Sequence, residues 1–337
     1  MLKKRVKDAL GEASVDFIYG NKFGGNVAER LLKSGMNVNS LRTNSVLLYD
    51  EWKQFDDVVL QASMQRLNGV ADLMTRNLVL RFPNGLGKTV LATQNANEIG
   101  DAEVSMDAVT KGKRSMPKYD IEYLPLPIIH QDFQYSIRTL EAARNGNEPL
   151  DTTMAAKAAR KVSEKVESFL FQGSGNYAFG GGTIYGYVDA PNRNTVAIGV
   201  PWDSSSSTGE QILNDVKAMK QAAINDRHFG PYVLYVPTNY ETVLDGDFKV
   251  NSDKTIRQRI LEIANITDVK VSDFLASDNV LLVQMSDDVV RMVEGLPIQT
   301  LEWDSEGGMV VNFKVMTILV PQIRNDQTLR SGIVHLS

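Results

Sequence analysis

Gly87-Lys88-Thr89 is the first place where this sequence could do chemistry. A glycine, a lysine and a hydroxyl in that order end the loop that cradles nucleotide phosphates. The full pattern needs a glycine five residues before Gly87, and Phe82 stands there. Gly173-Ser174-Gly175 with Ala178 matches a loose dinucleotide fingerprint. That fingerprint must follow a strand and open a helix. Here helical spacing precedes it, so a helix cap followed by a loop is the better reading. The histidines, His130, His228 and His335, each stand alone. No spacing around them suggests a metal site or a Ser-His pair. The carboxylate pairs Asp56-Asp57 and Asp287-Asp288 read as solvated charge. The chain has no cysteine, which removes disulfides, thiolate zinc sites and thiol nucleophiles. The expectation is no catalytic residue, no cofactor site and no metal site.

The charged residues between Asn77 and Lys118 are more informative. Arg81 and Lys88 come first, then acidic Glu98, Asp101, Glu103 and Asp107, then basic Lys111, Lys113, Arg114 and Lys118. Short strand-like runs at Leu78–Leu80 and Val90-Leu91 are split by Pro83-Asn84-Gly85. The stretch holds too little apolar surface for a core of its own. A lone two-stranded ribbon is marginal in water. Such an excursion must lie on its own body or on another subunit, and opposite charges on successive limbs suit contact with neighbouring copies. A solubilising surface loop is the bland alternative. Residues 1–45 read as an arm that begins with Lys3, Lys4, Arg5 and Lys7. It is either a frayed terminus or a segment that lies on a neighbour or faces an acidic partner.

The whole chain has 337 residues, 43% hydrophobic and 23% charged, with a formal net charge of -5. That is enough to bury a sizeable core. It argues against a dedicated sequence-specific nucleic-acid binder, which would be basic overall. The basic N-terminus lacks an apolar segment, so no secretory signal is expected. Val315–Val320 and Val280–Val283 fall far short of the roughly 18 apolar residues of a membrane span.

Elements to carry these residues can be read from periodicity. Asp50–Ala71 reads as a helix with Trp52, Phe55, Val59 and Ala62 on one stripe. Asp151–Phe171 is the clearest helix, capped by Asp151, with Met154, Ala158, Val162, Val166 and Phe169 inward. Ile121–Ser136 is strand-rich. From Thr208 a compact α/β unit begins. Thr208–Gln211, Thr238–Glu241 and Thr255–Gln258 are three capping-box patterns. They open a helix with Ile212, Val216, Met219 and Ala223 inward, a short helix stopped by Gly246, and a helix through Ala264. Strands are expected at Tyr232–Val236, Val269–Ser272, Val280–Met285, Val289–Val293 and Met309–Val320.

In this order the parts resemble the major capsid proteins of tailed phages, and more closely their encapsulin branch. Four stretches carry the likeness: Asp50–Asp56, Pro83–Gly87, Glu164–Gly173 followed by Gly182–Gly186, and Trp303–Val320. The resemblance spans roughly residues 45–325. It implies an α+β chain with the phage major-capsid fold. An N-terminal arm (1–45) and a helical segment (46–76) lead into an extended β-hairpin loop (77–118). A peripheral domain (119–200) carries a long spine helix (151–171). An axial α/β domain (201–300) follows, and the closing strands (301–337) return to the peripheral domain. It implies a structural subunit, not an enzyme, that assembles into an icosahedral shell of pentamers and hexamers. The loop residues Arg81, Lys88, Glu98, Asp101, Glu103, Lys111, Lys113, Arg114 and Lys118 become inter-subunit contacts. Lys3, Lys4, Arg5 and Lys7 lie on an interior arm. Encapsulins have no counterpart of the first forty or so residues, which leans toward a phage capsid around packaged DNA contacted nonspecifically. A separate scaffolding protein and a portal are then expected partners, with no membrane contact. The location is the virion capsid, assembled in the host cytoplasm. An encapsulin shell around a cargo enzyme is the first alternative. A small-molecule enzyme using the α/β unit is the second.

Overall fold

The computed structural model describes residues 58–59, 68–96, 106, 116, 119–145, 152–249, 253–325 and 330–337. The expected arm, most of the first helix and Asp151 lie outside them. The helices are α1 (Asn68–Thr75), α2 (Ile137–Asn145), α3 (Thr153–Phe171), α4 (Gly209–Asn225), α5 (Glu241–Leu244) and α6 (Ile256–Leu261). The strands are β1 (Val79–Arg81), β2 (Val90–Ala96), β3 (Tyr119–Pro125), β4 (Ile129–Ser136), β5 (Ser174–Phe179), β6 (Gly182–Ile184) and β7 (Asn194–Val196). They continue as β8 (Tyr232–Pro237), β9 (Ile266–Ser272), β10 (Val280–Gln284), β11 (Val290–Ser305), β12 (Val310–Ile323) and β13 (Ile333–Leu336). Among the described residues no helix is long and apolar enough to cross a membrane.

The chain forms two compact units. Among the described residues, the first draws on those up to Thr89, those from Leu126 to Leu170 and those from Met292 to Val320. Its sheet runs β1-β11-β12-β4. β1 pairs parallel to β11, with Val79 opposite Met292 and Arg81 opposite Glu294. β4 pairs antiparallel to β12 and sets Phe133 opposite Phe313. Those two rings stack at 5.2 Å, and Tyr135 meets Phe313 edge-on at 5.9 Å. Helix α3 buries Ala155, Ala158, Ala159, Val162, Val166, Phe169 and Leu170. Met154, expected on the inner stripe, is exposed. Ala155 takes the inward position instead, about 100° further round the helix. Lys157, Arg160, Lys161 and Lys165 stay on the wet side. Glu167 on α3 is only 2% exposed, and its carboxylate accepts from Gly69 N at 2.6 Å and Val70 N at 3.2 Å. Those N–H groups open α1 and have no partner within their helix. A buried carboxylate at that end also faces the positive pole of the helix dipole.

The segment expected to loop out from Asn77 therefore divides. Its first part is a sheet strand, β1, followed by a 3-10 turn at Gly85–Gly87. A Cβ at Gly85 would sit 2.1 Å from Gly295 O on β11. Only a glycine permits that backbone-to-backbone approach.

The second unit draws on the described residues from Val90 to Pro125, from Phe171 to Arg291 and from Pro321 to Ser337. Its main sheet runs β7-β13-β10-β8-β9. β8 pairs parallel to β9 and antiparallel to β10. Every residue of β8 is buried, as a strand covered on both faces requires. On one side Leu234 and Val236 join Ile212, Val216, Met219 and Ala223 of α4 in a single core. On the other, Tyr235 meets the Phe171 ring edge-on at 5.1 Å. Two of the three capping boxes form in full, at Thr208 with Gln211 and at Thr255 with Gln258. The one at Thr238 does not. A 3-10 turn occupies Thr238–Tyr240, and α5 carries no side-chain cap. Helix α6 ends at Leu261, short of Ala264. The last strand, β13, pairs with β10 and β7 of this unit. The closing segment 301–337 thus serves two sheets.

Candidate assembly surface

Two antiparallel strand pairs stand out in the second unit. β2 and β3 pair antiparallel from Val90 opposite Pro125 to Ala96 opposite Tyr119. Side chains alternate across such a ribbon. Leu124 is buried, whereas Tyr123 is 46% exposed. β5 and β6 form the second hairpin, turned by Gly180 at φ +61° and Gly181 at φ +84°. The hairpins meet through backbone, since a Cβ on Gly182 would lie 1.9 Å from Tyr123 O. Phe179 beside that turn is 53% exposed, and Tyr177 and Tyr185 are exposed with it. Three exposed aromatics on two adjoining ribbons, with Tyr185 directly after β6, resemble an interaction surface more than scattered surface apolars.

The second hairpin follows helix α3 through a tight lock. Gly173 adopts φ +68°, the left-handed conformation that ends helices at glycine. This agrees with a cap and excludes the dinucleotide reading. A Cβ on Gly173 would meet Gly186 N at 2.3 Å, and one on Gly186 would meet Gly173 N at 2.1 Å. Gly186 N donates to Asp189 Oδ1 at 2.5 Å. Burial raises the Asp189 carboxyl above its usual range, offset in part by that backbone N–H and by Arg193. Nothing local in the sequence pointed to Asp189. The repeated glycines flanking the hairpin were the available signal.

Of the residues expected to touch neighbours, Arg81 and Lys88 are described. Arg81 Nε donates to Glu294 Oε2 at 2.7 Å. Lys88 Nζ lies 5.2 Å from the Phe82 ring centroid. Both have partners in their own chain. Glu98, Asp101, Glu103, Lys111, Lys113, Arg114 and Lys118 lie outside the described residues, as do Lys3, Lys4, Arg5 and Lys7. Gly87 sits in a 3-10 turn with the Asn84 side chain against it, which is no phosphate cradle. His130 is exposed beside Asp132 at 3.2 Å. The His228 carbonyl accepts from the Tyr232 hydroxyl. His335 is buried between Arg193 and Asn279. Among the described residues no group of three or more histidines and carboxylates could hold a metal ion. Asp287, expected to be merely solvated, binds both Arg291 and Arg324.

This arrangement of sheet, long helix, hairpins and α/β unit is shared with shell-forming proteins. The virus-like particle from Pyrococcus furiosus superposes with a TM-score of 0.62 at 18% identity, over 85% of this chain and 99% of that one. The capsid of Myoviridae phage XM1 gives 0.58 at 12% identity, over 74% and 85%. In sequence, the type 1 encapsulin shell protein EncA of Myxococcus xanthus (strain DK1622) is 25% identical over 232 residues, 68% of this chain and 70% of that one. The α+β architecture is the tailed-phage major-capsid fold expected from the sequence. Residues 41–336 match the profile of DUF6260, described as a family of unknown function, and the chain belongs to that family.

Proposed function

We propose that this protein is a structural shell subunit that self-assembles into an icosahedral phage capsid of pentamers and hexamers around a DNA genome. The observation that carries the reading is the paired hairpin surface with Tyr123 and Phe179 exposed, on a fold shared with a phage capsid and a virus-like particle. The ribbon begun by β2 and β3 lies over an adjacent copy and buries those rings there. Obligate interfaces commonly bury about 2,000 Å² or more. A closed shell multiplies many individually weak contacts. The charged residues from Glu98 to Lys118 pair with complementary charges on neighbours, and the basic arm at Lys3–Lys7 lies inside, against DNA held without sequence preference. A scaffolding protein and a portal assist assembly in the host cytoplasm, and the mature location is the virion. The chain itself performs no catalysis.

A second reading is favoured by the encapsulin relative in Myxococcus xanthus: a shell around a cargo enzyme. Electron microscopy of the purified protein tests both, and closed particles are expected. An absorbance ratio showing nucleic acid inside supports the capsid reading. A co-purifying enzyme supports the encapsulin reading. Deleting residues 97–118 should abolish particles yet leave the α/β unit folded by circular dichroism. A small, stable oligomer indifferent to that deletion would refute a shell role.

A further inference from the structure

We infer that Gln322 is a positioning residue that fixes the direction in which the β2–β3 hairpin leaves its body. Gln322, near the end of β12, is 5% exposed. Its amide is used at both ends. Gln322 Nε2 donates to Thr93 Oγ1 of β2 at 3.3 Å, and Gln322 Oε1 accepts from Arg291 Nε at 2.8 Å. Thr93 Oγ1 in turn donates a hydrogen bond across the hairpin to Glu122 O at 3.4 Å. Arg291 continues to Asp287 at 3.7 Å, and Arg324 holds the same carboxylate at 3.3 Å and the Asp287 carbonyl at 2.8 Å. From Arg291 through Gln322 and Thr93 to Glu122 O each link runs donor to acceptor in one direction, which fixes the orientation of the Gln322 amide.

All of these residues belong to one compact unit. They connect both hairpin strands to the loop after β10. The hairpin is also supported along the β5–β6 turn, where Gly182 meets the backbone of Tyr123 on β3 and Gly180 lies against the Val90 side chain of β2. A ribbon held at a single line can pivot about it, and the second tether removes that freedom. Gln322 is buried while the ends of this polar chain, at Asp287 and Glu122, are exposed, and a satisfied polar network around a buried amide rigidifies what it joins. A hairpin meant to reach a neighbouring copy needs a set angle, because a small rotation at its root grows with distance along the ribbon. The importance of that angle rests on the shell reading. The tether itself does not.

The test uses the full chain with Gln322→Met and Thr93→Val, singly and together. Amide hydrogen exchange at residues 91–94 and 121–124 should accelerate roughly tenfold in either variant, with no further gain in the double, while β8 and β10 keep wild-type rates. Electron microscopy should show particle yield reduced at least tenfold or a spread of diameters, a loss of the order expected for one buried hydrogen bond repeated in each subunit. Wild-type exchange in Gln322→Met would overturn the inference. So would additive effects, or faster exchange spread across the whole unit, either of which marks ordinary destabilisation. Locally faster exchange with wild-type particles would overturn the positioning role. If the wild-type protein forms no particles, the shell reading fails while the exchange data still decide whether Gln322 tethers the hairpin.

Discussion

His335 offers a pH dependence that can be worked out from its surroundings. It lies on β13 between β7 and β10, and is 4% exposed. Arg193 Nε donates to His335 Nδ1 at 3.2 Å, so that nitrogen must carry a lone pair, not a proton. His335 Nε2 then bears the proton and donates to Asn279 Oδ1 at 2.6 Å. Charging the ring would turn an acceptor into a donor facing a guanidinium. Burial, with the Arg193 charge added, lowers its pKa from 6.5 to about 4. The folded value is depressed below the unfolded one, so between those values the unfolded chain binds more protons. The stability contributed by neutral His335 is complete above pH 6.5 and disappears as pH falls through 4. Between pH 7.5 and 4.5 the loss is about 2.5 kcal/mol, at 1.36 kcal/mol per pKa unit. Carboxylates titrate in the same range, so the useful quantity is a difference. His335→Gln keeps an acceptor for Arg193 and a donor for Asn279 but cannot titrate. Urea denaturation of both proteins at the two pH values, with dissociated subunits, should show the variant losing about 2.5 kcal/mol less than wild type. Equal losses in the two proteins, or an imidazole NMR titration of His335 centred near 6.5, would refute this account.

Two further substitutions test the packing. Gly85→Ala places a methyl group 2.1 Å from Gly295 O, where rigid backbone cannot give way. The cost should be about 3 kcal/mol or more, seen as a lower thermal midpoint and reduced soluble yield. Glu167→Ala leaves the Gly69 and Val70 N–H groups without their buried acceptor. A loss of about 2–4 kcal/mol is expected, with Glu167→Gln recovering part of it in the same urea titration.

Local patterns were legible in the sequence, and those involving distant partners were not. The capping boxes at Thr208 and Thr255 satisfy orphan N–H groups within four residues, so sequence alone carries them. The same pattern at Thr238 yields a 3-10 turn without a side-chain cap, because the pattern permits a cap but does not compel one. The inner face of α4 follows from spacing. On α3 the same rule placed Met154 inward, where Ala155 sits, since alanines leave several rotations of the stripe open. Strand β1 lay inside an apparent loop. The run Leu78–Leu80 reads as strand-like, but nothing in the sequence names a sheet for Val79–Arg81 to join. What supplies that sheet is the edge of β11, more than two hundred residues away.

The candidate surface divides the same way. That a thin ribbon begins near Val90 was readable in the sequence, while the charge order from Glu98 to Lys118 falls outside the described residues. Asp189 beneath Gly173 and Gly186, and Gln322 between Thr93 and Arg291, were not, because each acts on partners that only the folded chain brings near. By itself the sequence determined the long helix α3, the inner face of α4, the capping boxes at Thr208 and Thr255 and the buried strand β8, whereas helix α2 went unread. The tertiary structure alone decided that β1 joins the β11–β12 sheet, that β13 joins the α/β sheet, and which polar groups brace the hairpin. Helical and capping preferences act over three or four residues and leave a mark in the sequence. Sheet pairing and buried polar contacts are chosen by shape and hydrogen-bond satisfaction among segments that meet only once the chain has folded.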